Sequence, residues 1–103
     1  MPPRAPVGSG SVRLLDVSDL PPPEPFERAV EALDALAPGE ALHFRHRREP
    51  RLLFPLLEGR GYRQVTVATR EGEVHVVIWE GGDEAAEAAA HAVVSSLSPP
   101  RRP

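Results

Sequence analysis

The chain of 103 residues predicts an α+β fold, a two-layer sandwich in the order β-α-β-α-β-β with an extra C-terminal helix. Three observations carry that expectation. Apolar residues recur at helical spacing in three stretches, while three others alternate with period two and Val12 to Val17 is a short apolar run. Glu71-Gly72 separates the last two alternating runs as a hairpin turn. One apolar face per helix and one per strand is the pattern of helices packed on one side of a four-stranded sheet.

Residues 1–11 are rich in Pro, Gly and Ser without periodicity and read as a disordered tail. Val12 to Val17 is the first strand. Glu24 is placed to cap the first helix, Pro25 suits its first position, and Glu27 favours the positive end of its dipole. Phe26, Val30, Leu33 and Ala37 form its apolar face, and Pro38-Gly39 stops it. Ala41 to Arg45 alternates, with Leu42 and Phe44 on one side and His43 and Arg45 on the other.

Pro50 opens a second helix, which buries Leu53, Leu56 and Leu57 and stops at Gly61. Pro55 inside it predicts a kink, or a turn at Pro50 followed by a restart. Tyr62 to Arg70 and Glu73 to Trp79 are the hairpin strands, so the sandwich spans residues 12–80. Asp83 caps a third helix over residues 83–97, striped by Ala86, Ala90, Val93 and Leu97. Its alanines favour helix but offer little to bury. Residues 98–103 read as a second disordered tail.

Composition narrows the function. The folded part is about 70 residues, one domain burying roughly 60% of its chain's surface. There are no cysteines, which excludes disulfides, thiolate catalysis and Cys-based metal sites. No apolar run approaches the ~20 residues of a membrane span, and the absence of a signal-peptide h-region predicts a cytoplasmic protein. A net charge of −3 argues against nucleic acid as a partner. With no nucleophile–base pair and no phosphate-binding glycine loop, neither an enzyme nor a cofactor is expected.

Leu15-Asp16, Leu20-Pro21-Pro22-Pro23-Glu24-Pro25, Leu33, Leu36 and Pro38-Gly39-Glu40 together resemble the start of the TusA-like (SirA-like) proteins. Glu49-Pro50, Leu53, Pro55-Leu56-Leu57-Glu58 and Arg60-Gly61-Tyr62 are closer to domain-of-unknown-function family 2249, a relative of TusA that often lacks its cysteine. The resemblance covers Val12 to Trp79 and implies a mixed sheet of order 1-2-4-3. Pro22 stands where the Cys-Pro-x-Pro motif carries its sulfur-relay cysteine. Proline offers no nucleophile, so the relay chemistry is not transferred. Pro22, Pro23, Glu24 and Pro25 keep either a loop that presents backbone donors at a helix start or one that only fixes how the chain enters the helix.

Three further groups of residues stand out. Arg45, Arg47, Arg48 and Arg51 make the densest basic segment, readable as a solvated loop or as an anion site of Arg forks. His43 and His75 share the sheet face opposite the apolar one and are neighbours in the implied strand order. They are the metal-ligand candidates, at most half of a zinc shell. Val77 and Trp79 lie on that same face, which must be covered by the C-terminal helix, by a second subunit or by a partner. As an interaction face, they make another protein the expected partner of a monomer or homodimer. Two functions fit: a non-catalytic binding or adaptor module, or an accessory of a sulfur-relay or redox pathway without the sulfur-carrying cysteine.

Overall fold

A computed structural model of the chain describes residues 10–97. Both disordered-tail expectations fall largely outside them, although Ser11 belongs to the first strand. The elements are β1 (Ser11–Asp16), α1 (Glu24–Asp34), β2 (Glu40–His46), α2 (Leu53–Gly59), β3 (Tyr62–Ala68), β4 (Val74–Glu80) and α3 (Glu84–Leu97). The sheet order is β1-β2-β4-β3, with β1 parallel to β2 and the other neighbours antiparallel. This is the mixed sheet implied by the family resemblance. A parallel β1/β2 pair requires a crossover, and α1 provides it.

Period-two alternation sends successive residues of a strand to opposite faces of the sheet. Leu42 and Phe44 of β2 join Val76 and Ile78 of β4 beneath α1 and α2, where Ala29, Leu33, Leu53 and Leu57 complete the larger core. Ala41, Val77 and Trp79 point the other way and pack against Ala86 and Ala90 of α3. The C-terminal helix therefore adds a third layer to the expected two-layer sandwich. Asp83 caps it as the sequence predicts, its Oδ1 accepting the Ala86 N–H at 3.1 Å. Its other carboxylate oxygen accepts the Gly39 N–H at 2.7 Å, which ties α3 to the start of β2.

Two helix boundaries differ from expectation. The cap of α1 is Pro23, without a side-chain bond, and Glu24 is the first helical residue. The helix ends at Asp34, and its buried stripe is Pro25, Ala29, Ala32 and Leu33, with Ala37 exposed beyond it. Small alanines let the helix approach the sheet more closely than the larger residues on either side of the stripe. In the second case, α2 begins at Leu53 after a turn in which the Leu53 N–H bonds the Pro50 carbonyl at 2.9 Å. Pro55 thus lies in the first turn, where its missing N–H has no helical partner to lose, and the helix runs through it without a restart.

Candidate functional site

Because β1 and β2 run parallel, the segments that leave them emerge at the same end of the sheet. Val17 continues the β1 ladder, donating to the Arg45 carbonyl at 2.9 Å, and the chain then turns into Pro21-Pro22-Pro23. The segment after His46 runs beside it toward α2. Between them lies an open groove of about 370 Å³. Pro22, Pro23, Pro25 and Phe26 form one wall, and Pro50, Leu52 and Leu53 form the other. Leu52 is 80% exposed, the most exposed of the large apolar side chains among the described residues. The proline motif and the arginine-rich segment, separate in the sequence, thus line one site.

Electrostatics divides the four candidate arginines into two pairs. Arg45 and Arg47 point to the edge lined by Asp16, Asp19 and Glu73. Arg45 pairs with Glu73 and, at 3.6 Å, with Asp16; Arg47 reaches Asp19 at 3.4 Å and the Ser18 carbonyl at 3.3 Å. Arg48 and Arg51 instead border the apolar groove. Arg51 lies 3.8 Å from Glu49, while Arg48 makes no ion pair among the described residues. The four do not converge, and α2, starting beyond them, has Pro55 in its first turn. His46 sits at the back of the groove with Nδ1 buried and without a partner, its ring edge-on to Phe44. Burial holds this imidazole below the usual histidine range, and Arg48 and Arg47 add to the effect.

The histidines on the opposite face come together as a hydrogen-bonded pair. His43 Nε2 lies 2.8 Å from His75 Nδ1, and His75 Nε2 lies 3.1 Å from Glu73. Hydrogen bonds from Arg45, then His75, hold Glu73 below the usual carboxylate range, so the carboxylate is the acceptor. His75 therefore donates through Nε2, and with its ring neutral its Nδ1 accepts from His43 Nε2. Burial, then His75 and Arg45, hold His43 below the usual range. The two facing nitrogens, His43 Nε2 and His75 Nδ1, are thus engaged with each other. No group of three or more His, Asp or Glu is placed to hold a metal among the described residues.

Val77 and Trp79 are buried beneath α3, so of the three covers expected for this face it is the C-terminal helix of the chain itself that occupies it. Sequence reasoning missed the groove, which needs two loops at once. The signal was available in the β-α-β order, since a parallel pair places both following loops at one edge.

The fold and groove define a small α+β domain with a sheet-edge cleft and no cysteine. The model of a family described as "Uncharacterized conserved protein (DUF2249)" matches residues 14–80, and the chain belongs to that family. The match begins within β1 and ends with β4, so α3 lies outside it. Neither the curated proteins nor the solved structures contain a match. Among the described residues no helix is long and apolar enough to cross a membrane.

Proposed function

We propose that the protein is a non-catalytic binding module that docks an extended segment of another protein in the Pro22–Leu52 groove. The observation that carries this reading is Leu52, 80% exposed at the rim of a cleft walled by proline and phenylalanine. Proline walls are stiff, so an incoming segment loses little of its binding free energy to ordering them. Arg48, free of ion pairing among the described residues, and Arg51 flank the apolar surface. They favour a partner segment with an apolar anchor next to Asp or Glu.

Selection of random peptides against the parent chain, with counter-selection against a Leu52→Ser variant, tests the reading. The enriched sequences should combine an aliphatic or aromatic residue with a carboxylate, and Arg48→Ala should weaken them. If no sequences are enriched, or if those enriched bind the Leu52→Ser variant equally, the reading is wrong.

The position of Pro22 on the groove wall supports a second reading, an accessory of a sulfur-relay pathway. The relay cysteine of TusA-like proteins would stand at this wall, so a partner's docking surface is retained here without the reacting group. Binding of a sulfurtransferase that Leu52→Ser abolishes would favour it.

A further inference from the structure

The sheet face opposite the groove has its own small core, and its fit is incomplete at one atom. Trp79 is 4% exposed, yet its Nε1–H finds no acceptor among the described residues. A buried indole ordinarily gives that donor a partner. Here its ring lies T-shaped against that of His91 instead, with centroids 5.4 Å apart and planes at 81°. The closest packing is by small groups, with Ala86 and Ala90 buried against Ala41 and Val77. The larger Val93, Val94 and Leu97 are only partly buried.

α3 is also attached in a particular way. It starts at Glu84, past the end of the family match at residue 80, and reaches the sheet through Gly81-Gly82. The bonds of Asp83 to Gly39 and Ala86 hold its N-terminus. An appended helix thus covers apolar residues that belong to the matched domain, and it leaves their one buried donor unanswered.

We infer that this face is a helix-acceptor surface, which α3 occupies in cis as a displaceable cover. The partner it fits is an amphipathic helix with two small residues four apart and a hydrogen-bond acceptor beside the second. The small residues reproduce the close approach of Ala86 and Ala90, and the acceptor, where α3 carries His91, takes the Trp79 N–H. A cis helix lowers the apparent affinity of any such partner by the fraction of time the face is covered. This surface lies across the sheet from the groove, so it stands or falls independently of the reading above.

The chain has a single Trp, so its indole N–H gives one unambiguous NMR signal. Two measurements on the full chain test the inference. In the first, the His91→Gln variant should shift that signal downfield and raise the melting temperature, because the amide oxygen supplies the missing acceptor. In the second, a peptide of residues 83–97 carrying His91→Gln is titrated into the parent and into Asp83→Ala. The signal should move saturably in both, with binding about tenfold tighter in Asp83→Ala, the equivalent of the ~1.4 kcal/mol of a lost helix cap. An unmoved signal in His91→Gln, no response to the peptide in either chain, or equal affinity in both would each overturn the inference.

Discussion

Two imidazoles and three carboxylates make the protein's stability depend on pH at the level of single residues. His43 and His46 are both held below the ordinary histidine value of 6.5, each chiefly by burial. Below about pH 6.5 the unfolded chain takes up protons at these positions while the folded chain resists them. Stability is therefore full above that pH and falls as the solution is acidified toward the folded-state values. Glu73, Asp16 and Asp83, held below their ordinary values of 4.5, 3.8 and 3.8, add a second loss at lower pH as their hydrogen-bonded carboxylates are protonated. Urea midpoints measured between ~pH 7 and ~pH 5 should fall, and less steeply in His43→Gln and in His46→Gln. The slope is the quantity to compare, since His43→Gln also alters the bond to His75. Equal slopes in all three chains would remove the histidines from the account. Pro22 gives a chemical prediction at the same scale. With no cysteine anywhere in the chain, incubation with a cysteine desulfurase and labelled sulfur should leave the intact mass unchanged.

At the scale of elements, two contacts fix where α3 and β1 sit. A Cβ at Gly10 would lie 2.3 Å from the Ala85 carbonyl oxygen and 2.6 Å from that of Gly39, and both are backbone atoms that a side-chain rotation cannot move. Gly10→Ala should therefore push β1 away from α3 and cost about 1–3 kcal/mol by denaturant unfolding. Asp83→Ala removes a helix cap and the tie to Gly39, for an expected loss of about 1 kcal/mol or more. Asp83 was readable in advance, because an acidic residue one position before an alanine-rich run is the common helix start. The hairpin at Glu71-Gly72 was equally legible, and Gly72 takes φ 88°, a conformation other residues rarely adopt. The start of α2 was not. Pro50 and Pro55 are both acceptable in a first turn, and only the packing of Leu53 and Leu57 into the core decides between them. Nor could local pattern separate Arg45 from Arg48. They are three residues apart in sequence, but alternation along β2 turns Arg45 to the carboxylate side while the chain beyond the strand carries Arg48 to the groove. The apolar character of Val77 and Trp79 was legible, whereas the choice among helix, subunit and partner as their cover required the fold itself.

For the whole molecule, the consequence is a sheet with two separately packed sides. The α1/α2 side holds the larger core, with Phe44, Leu42, Leu53 and Ile78 fully buried, and it supports the groove. The α3 side rests on alanines and on one tryptophan. Removing α3 should then weaken the fold without dismantling the groove, since none of the groove's lining residues belongs to α3. Ala90→Glu is the direct test. Position 90 is fully buried against Ala41, Val77 and Trp79, and a carboxylate is costly in that apolar packing, so the helix should lift off rather than bury it. The cost is limited to what docking α3 contributes, roughly 2–4 kcal/mol out of the ~5–15 kcal/mol typical of a domain. Trp79 emission should shift to the red as the indole reaches water. A peptide selected against the parent chain should still bind this variant at the groove with its affinity changed less than about threefold, under ~0.7 kcal/mol. By contrast, Phe44→Ala should cost about 3–5 kcal/mol and take the groove with it, because that ring supports His46 at the groove's back. If Ala90→Glu abolished groove binding while the chain remained folded, the two sides would be coupled through the sheet, and α3 would be part of the binding site rather than its independent neighbour.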